Sequence, residues 1–118
     1  MKTIILDTDF ILQSIKWKIT LVESLKKLCD FNFNIAYLDK TIDELKKKPN
    51  QALAIQILSS FNQIKTLKNK SVDELILDLT NKDKTLIIAT LDKELKEKLK
   101  KGKIVIITIR QKKYLIFV

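Results

Sequence analysis

The chain has 118 residues, of which 46% are hydrophobic and 31% charged, and this balance indicates one globular domain and excludes a disordered chain. It contains no histidine and one cysteine, which excludes histidine-based catalysis and an internal disulfide and leaves almost no ligands for zinc. The formal net charge of +9 favours a polyanionic partner, although Arg110 is the only arginine and the lysine excess also fits a general compositional bias.

Short apolar strands alternate with amphipathic stretches along the chain. The first half predicts a strand over Thr3–Asp7, helices over Asp9–Ser14 and Thr20–Asp30, a strand over Asn34–Leu38, and helices over Thr41–Lys48 and Asn50–Lys65. The second half predicts a helix opened by Ser71, a strand over Thr85–Thr90, a helix over Asp92–Lys101, and strands over Lys103–Ile109 and Tyr114–Val118. This alternation predicts an α/β fold with a mainly parallel sheet of four to five strands, covered by helices on both faces.

The chain shows no repeat, linker or targeting signal, so we expect a single domain over residues 1–118. Asp7 and Asp9 interrupt the apolar N-terminal stretch before a signal peptide could form. No apolar run approaches the ~18 residues that a membrane-spanning helix needs. We therefore expect a cytoplasmic protein without a membrane partner.

Four acids fall near the predicted carboxyl ends of the strands, which is where open parallel sheets bind ligands. Asp7 ends the first strand, Glu44 lies in about the first turn of the helix after the second strand, Asp73 lies in the first turn of its helix, and Asp92 follows the strand over Thr85–Thr90, with Asp9 close by. Clustered carboxylates repel one another, so a real cluster indicates bound Mg²⁺ or Mn²⁺, which can activate water for phosphodiester cleavage.

The same acids also have a structural interpretation. Thr41–Glu44 and Ser71–Glu74 match the S/T-x-x-E capping box, so Glu44 is also a candidate helix cap. Asp73 and Asp92 are placed to stabilise helix N-termini. Spacing alone leaves capping and metal binding open for these three residues. For Asp7 a functional role is favoured, because an acid that ends a buried apolar strand is costly without a partner.

Four segments in chain order resemble the acidic motifs of PIN-domain ribonucleases. They are Leu6–Leu12 (LDTDFIL), Ile42–Leu45 (IDEL), Ser71–Ile76 (SVDELI) and Ile88–Leu95 (IATLDKEL), and the tail Ile109–Leu115 (IRQKKYL) is similar to that of archaeal members. The resemblance implies a Rossmann-like three-layer α/β/α domain with Mg²⁺- or Mn²⁺-dependent endoribonuclease activity. It implies that the catalytic and metal-binding acids are Asp7, Glu44, Asp73 and Asp92, with Thr8 and Thr90 as hydroxyl contacts.

Two residues depart from the pattern of that family. Asp9 stands where asparagine is usual and adds charge to the expected metal site, and Leu91 stands where a polar residue often precedes the last acid. The family includes VapC-type toxins, which pair with an antitoxin protein, and nucleases that process pre-ribosomal RNA, and homodimers are common in it. RNA is therefore the expected substrate, and an antitoxin or a pre-ribosomal particle is the expected partner.

Two other functions fit parts of the sequence. Asp7 and Asp9 also form the Asp-x-Asp pattern of haloacid-dehalogenase-like phosphatases, but Ile11 stands where that class needs threonine. A nuclease-dead RNA-binding or scaffold domain would use the acids as caps, and the presence of all four acids argues against it. The lysine clusters that could bind RNA in either case are Lys46–Lys48, Lys65–Lys70 and Lys96–Lys103.

Isolated aromatic and sulfur side chains are assigned to the core. Phe10, Trp17 and Phe31 lie at apolar helical spacing, so packing is more expected for them than base stacking. Cys29 follows apolar helical residues and is expected to be a small buried side chain.

Overall fold

A computed structural model describes all 118 residues. The strands are β1 (Lys2–Leu6), β2 (Phe33–Leu38), β3 (Asn62–Ile64), β4 (Ile87–Ala89), β5 (Val105–Arg110) and β6 (Tyr114–Phe117). The helices are α1 (Thr8–Lys16), α2 (Leu21–Leu28), α3 (Asp39–Leu45), α4 (Gln51–Leu58), α5 (Val72–Lys82) and α6 (Lys93–Lys101). None of these helices is long and apolar enough to cross a membrane.

The six strands form one sheet in the order β3-β2-β1-β4-β5-β6. Strands β1 to β5 are parallel, and β6 runs antiparallel to β5. The chain builds outward from β1 to β3 and then returns to place β4 on the other side of β1, so the strand order reverses between β1 and β4. In sheets of this kind the crevice at the reversal, at the carboxyl ends of the strands, is the place where ligands bind.

Helices cover both faces of the sheet and give the three-layer α/β/α architecture that the sequence predicts. Helices α1 to α4 pack on one face through side chains such as Phe10, Leu25 and Leu58, while α5 and α6 pack on the other through Ile76 and Leu99. Successive residues of the central strands alternate between these two clusters. Burial on both faces explains why the central strands are continuous apolar runs in the sequence.

The sheet has six strands, one more than the upper limit of the prediction, because the predicted helix over Asn50–Lys65 is wrong in its second half. Helix α4 ends at Leu58, and β3 then pairs with β2 at the edge of the sheet. Phe61 and Ile64 are three residues apart, which is consistent with one face of a helix. In the structure they pack against opposite faces of the sheet, as residues three apart do in an extended segment. Leu53 lies at helical spacing with Ile57, Phe61 and Ile64, a stripe that predicts a buried helix face, but its side chain is 48% exposed.

Helix α3 begins two residues before its predicted start. Its first residue is Asp39 and its N-cap is Leu38, so the capping box predicted at Thr41–Glu44 is wrong. The hydroxyl of Thr41 is buried and has no hydrogen-bond partner. Glu44 consequently lies in the last turn of α3 and not in the first.

The core assignments of single side chains hold in part. Phe10 is fully buried and Cys29 is buried and free, as predicted. Phe31 is only partly buried, and it packs against the core with its ring 6.5 Å from that of Phe117. The core assignment of Trp17 is wrong, because its side chain is partly exposed and belongs to neither cluster.

Candidate active site

A pocket of about 400 Å³ lies at the carboxyl ends of β1 and β4, where the strand order reverses. Its lining contains no hydrophobic residue. The lining residues are Asp7, Thr8, Asp9, Glu44, Lys47, Lys48, Ser71, Asp73 and Asp92. The fold therefore brings the four acids singled out by the sequence, and Asp9 with them, to one surface from four separate segments.

Asp7 directly follows the central strand β1 and is only 4% exposed. Its Oδ1 accepts a hydrogen bond from the backbone N–H of Thr8 (2.9 Å), and its Oδ2 accepts one from the hydroxyl of Thr90 (2.7 Å). Thr90 is fully buried just after β4, and its Oγ1 also accepts a hydrogen bond from the backbone N–H of Asp92 (3.1 Å). One hydroxyl thus links two acids across the point where the strand order reverses.

Glu44 reaches the pocket from the last turn of α3, on the other side of Asp7. Its Oε1 accepts a hydrogen bond from the hydroxyl of Thr8 (2.7 Å). Thr8 and Thr90 therefore each hold one carboxylate in a defined orientation. A carboxylate held by a single hydroxyl keeps further lone pairs free for another ligand.

Two of the acids do cap helices. Asp7 is the N-cap of α1, and Asp92 is the N-cap of α6, where its Oδ1 accepts a hydrogen bond from the backbone N–H of Leu95 (3.0 Å). Each of these caps uses one carboxylate oxygen. Capping and lining the pocket are therefore compatible in the same side chain.

The other two acids have no capping bond. The N-cap of α5 is Ser71, whose Oγ accepts a hydrogen bond from the backbone N–H of Glu74 (3.3 Å), as the sequence predicts. Asp73 lies in the first turn of α5 and makes no side-chain hydrogen bond or ion pair, although the helix dipole favours a negative charge there. Glu44 lies at the wrong end of its helix to act as a cap. Neither acid is explained by helix stability alone.

Burial and mutual repulsion act most strongly on Asp73. The pKa of this carboxyl is raised to about 7, chiefly by burial and in addition by the negative charges of Asp7, Asp92, Glu44 and Asp9. No lysine lies within 4.0 Å of any of these carboxylates to offset the repulsion. The pocket therefore holds more negative charge than the protein itself neutralises.

The pKa of Asp7 is raised to about 6 for similar reasons. Burial is the largest cause, and the charges of Asp9 and Glu44 add to it. The hydrogen bonds from Thr90 and Thr8 act in the opposite direction, because they stabilise the ionised form, but they do not outweigh burial.

The donor chemistry of the pocket fits a hard divalent cation. No group of three carboxylates is close enough to enclose an ion as the side chains stand. Mg²⁺, however, is usually bound by one or two carboxylates, with waters and substrate phosphates completing its octahedral shell. An oxygen-lined pocket with excess negative charge meets that requirement, and a cation would relieve the repulsion among the acids.

Three residues of the pocket are not predicted from the sequence as part of this site. Lys47 and Lys48 belong to one of three lysine clusters that look equivalent in the sequence, and only these two lysines line the pocket. Ser71 is recognisable in the sequence as a helix cap but not as part of a site. Their placement depends on how α3 and α5 approach the sheet, which local patterns do not reveal.

The contribution of Asp7 and Asp73 to the stability of the metal-free protein is expected to fall as pH rises from about 4 to about 7. Both carboxyls have a folded-state pKa above the ordinary 3.8, so they hold their protons more tightly when folded. Stability from such groups is complete below the unfolded pKa and is lost as pH rises through the folded pKa.

Melting temperatures of the wild-type protein and an Asp73→Asn variant, measured in a chelator between pH 4 and pH 8, test this expectation. The two proteins should melt alike near pH 4, and the variant should become progressively more stable toward pH 8. A difference in melting temperature that does not change with pH would show that the pKa of Asp73 is not raised in the folded protein.

The chain matches the family model described as a PIN-like domain over residues 4–112. Sixteen chains of solved structures are similar to it. Among them is the structure of the PIN domain endonuclease Utp24, which is 27% identical, superposes with a TM-score of 0.83, and aligns over 98% of this chain and 90% of its own. No curated protein sequence gives a significant match. With a family model that spans almost the whole chain and a sheet that superposes on a PIN domain endonuclease, this chain belongs to the PIN-like domain family.

Proposed function

We propose that this protein is a Mg²⁺- or Mn²⁺-dependent endoribonuclease that hydrolyses phosphodiester bonds of RNA at the acidic pocket. The observation that carries the proposal is the convergence of five carboxylates, without a paired cation, at the point where the strand order reverses. The likeness to a PIN domain endonuclease supports nuclease chemistry on this fold. Incubation of purified protein with single-stranded RNA and Mg²⁺ or Mn²⁺ tests the proposal, which predicts internal cleavage and is contradicted by intact RNA.

The residues proposed to hold the divalent ion are Asp7, Glu44, Asp73 and Asp92. Once bound, the ion supplies an activated water and neutralises charge on the phosphate. The hydroxyls of Thr8 and Thr90 keep two of the carboxylates in place, so less ordering is needed when the ion arrives. Without an ion the acids repel a phosphate, so RNA binding at the centre of the pocket depends on the metal.

RNA is the proposed substrate because positive charge lies beside the acids. Lys47 and Lys48 follow α3 and line the same pocket as Glu44, and neither is within ion-pair distance of a carboxylate. Their ammonium groups are exposed and free to contact phosphates on either side of the cleaved bond. The net charge of +9 adds a general attraction for a polyanion.

Replacing Lys47 and Lys48 by alanine is expected to weaken RNA binding and its dependence on salt. Each lost phosphate contact lowers the slope of log K against log [salt] by about 0.7 for a single strand. Lys46→Ala is the matched control, because Lys46 belongs to the same run but does not line the pocket. Filter binding or fluorescence anisotropy between about 50 and 200 mM salt measures the slopes. Equal slopes for the control and the double variant would contradict a phosphate contact at these two lysines.

Two alternative cellular roles are proposed for the same RNA-cleaving chemistry. One role is a VapC-type toxin that an antitoxin protein neutralises, and the other is a processing nuclease that acts on a pre-ribosomal particle, in either case in the cytoplasm and with homodimerisation as an expectation. The neighbouring gene distinguishes the roles. A small antitoxin-like reading frame favours the toxin, and ribosomal genes favour RNA processing.

The sequence also allowed a phosphatase and a nuclease-dead scaffold domain. The interpretation as a haloacid-dehalogenase-like phosphatase is wrong, because the chain belongs to the PIN-like family. The scaffold alternative remains, but it assigns no purpose to Asp73. This acid caps no helix, makes no side-chain hydrogen bond and is repelled by the other acids of the pocket, so a domain without a metal would be more stable without its charge.

A further inference from the structure

A second group of basic residues lies at the same edge of the sheet as the acidic pocket, on the side opposite Lys47 and Lys48. It is the turn that joins β5 to β6, residues 110–113 (RQKK), which we call the basic turn. Lys47 and Lys48 come shortly after β2 and α3, whereas β5 lies beyond β4 in the strand order. The acids at the ends of β1 and β4 therefore stand between two groups of positive charge.

The register of β5 brings Arg110 to the edge of the sheet that carries the acids. Pairing of β5 with β4 ends at Ile107, opposite Ala89, and β5 continues for three more residues to Arg110. At a rise of ~3.3 Å per residue, this extension carries Arg110 about 10 Å beyond the paired part of the strand. Asp92 also stands three residues beyond Ala89. Arg110 therefore reaches the edge at which Asp92 stands, one strand further out.

Lys112 is held beside the acids by a contact with helix α1. Its ammonium lies 6.0 Å from the ring centroid of Trp17, the residue that ends α1. Trp17 lines a depression together with Asp9 and Asp92, and both of these acids also line the acidic pocket. An ammonium over a ring face keeps N–H donors for an anion. Lys112 therefore places an available positive charge next to the acidic pocket.

The charges of the basic turn have no partner within the protein. Arg110, Lys112 and Lys113 are exposed, and none of them lies within 4.0 Å of a carboxylate. Arg110 is also the only arginine among the 23 basic residues of a chain that otherwise uses lysine. A guanidinium presents a planar fork of donors that matches a phosphate, which an ammonium does not.

The conformation of the basic turn does not explain its sequence. Gln111 and Lys112 both have positive φ (55° and 56°), as the two central residues of a tight hairpin turn require. Asparagine and glycine are the residues that adopt this conformation readily, and longer side chains are strained in it. The turn thus carries a lysine at a position where hairpin stability alone favours a small residue.

We propose that the basic turn is a second phosphate-binding site, which holds the substrate RNA on the side of the acidic pocket opposite Lys47 and Lys48. A single strand then crosses the carboxyl edge of the sheet and contacts Lys47 and Lys48, the acids with their metal, and Arg110 and Lys112 in turn. Three strand spacings of ~4.8 Å separate β2 from β5, so the path is about 14 Å long and engages several nucleotides. The identity of the strand as RNA rests on the proposed function.

The salt dependence of RNA binding tests the second site, because its slope counts phosphate contacts. Anisotropy of a labelled oligouridine of about ten nucleotides is measured in EDTA, which keeps the strand intact and leaves contacts beside the acids in place. The double variant Arg110→Gln, Lys112→Gln should reduce the slope of log K against log [salt] by about 1.4, or ~0.7 per lost contact. If its melting curve shows a weakened fold, Arg110→Gln alone should give half that change. An unchanged slope in a folded variant would overturn the proposal.

The matched control is Lys84→Gln, Lys100→Gln, which removes the same charge at the opposite edge of the sheet. Lys84 lies in the turn before β4, and Lys100 lies in the last turn of α6, so both are near the amino ends of the strands. Both are exposed and outside every ion pair. The control should keep the wild-type slope. A reduction as large as that of the basic-turn variant would show that only net charge matters and would overturn the proposal.

A single path across the pocket makes two further demands. Titration to saturation should give one strand per protein. Combining the basic-turn variant with Lys47→Ala and Lys48→Ala should reduce the slope by the sum of the two separate changes, about 2.8 for four contacts. Two strands per protein would show that the two basic groups bind separate strands and would overturn the proposed path.

The outcomes separate the second site from the nuclease, because binding in EDTA needs no cleavage. A reduced slope in the basic-turn variant, with no RNA cleavage by the wild type in Mg²⁺ or Mn²⁺, would contradict the proposed function alone. Cleavage by the wild type, with an unchanged slope in the basic-turn variant, would contradict the second site alone.

Discussion

Asp73→Asn is expected to abolish RNA cleavage while making the metal-free protein more stable at neutral pH. Asp73 makes no side-chain hydrogen bond that asparagine would lose, and its pKa of about 7 reflects burial and the repulsion of four other acids. Removing its charge relieves that repulsion. Cleavage should fall at least about a hundredfold, because a loss of only about 3 kcal/mol of transition-state stabilisation has that effect.

The matched control for this substitution is Asp78→Asn. Asp78 lies on the same helix, α5, but outside the pocket, and its Oδ2 accepts a hydrogen bond from the ammonium of Lys70 (2.9 Å). The control should retain full activity and gain no stability. If Asp73→Asn remained active and melted at a lower temperature than the wild type, Asp73 would be structural, and the scaffold alternative would become the better account.

Substitution of the other three acids should also abolish cleavage, but the accompanying change in stability should differ from one acid to the next. Asp92→Asn keeps an N-cap, because asparagine caps about as well as aspartate, so its stability should change little while activity is lost. Glu44→Gln should behave in the same way. Asp7→Asn replaces the oxygen that accepts the hydrogen bond from Thr90, so relief of charge is partly offset. Asp7 should be the most sensitive in activity, because it follows the central strand and is the most buried acid of the pocket.

Removal of divalent ions is the second change with a large expected effect. The chain has no histidine to act as a base, and its pocket carries unneutralised carboxylates, so cleavage should vanish in EDTA. Adding Mg²⁺ or Mn²⁺ in excess of the chelator should restore it, and Ca²⁺, which prefers larger and looser shells, should restore it poorly. Cleavage products from matched single-stranded RNA on a denaturing gel measure the effect. Equal cleavage with and without EDTA would show that the carboxylate–metal mechanism is wrong.

The sequence predicts the fold correctly where the spacing of apolar residues fits either a strand or a helix but not both. The central strands are apolar runs buried on both faces, so β1, β2 and β4 are recognisable, and the helices of the second half have clear caps. The edge strand β3 is missed for a physical reason. Its three residues are mostly exposed and carry little apolar signal, and the preceding Phe61 fits a helical stripe as well as a sheet.

The candidate site is predictable to the extent that it follows strand ends. Asp7 and Asp92 stand at the ends of β1 and β4, and that rule places them correctly at one edge of the sheet. Glu44 lines the pocket as predicted, but it does so from the last turn of its helix, and its predicted position in the first turn is wrong. The partial exposure of Trp17 depends on tertiary packing, and no local pattern in the sequence reveals it.

The most direct test of the carboxylate pocket as a metal site is calorimetric titration of Mn²⁺ into the metal-free protein at pH 6.5, in two buffers of different ionisation enthalpy. The carboxyls of Asp7 and Asp73, with pKa values of about 6 and about 7, are partly protonated there and must lose those protons to bind the ion. We predict saturable binding with release of a fraction of a proton to one proton, and much weaker binding with less proton release in Asp73→Asn but not in Asp78→Asn. Absence of Mn²⁺ binding, or identical binding and proton release in all three proteins, would contradict the assignment of this pocket as the metal site.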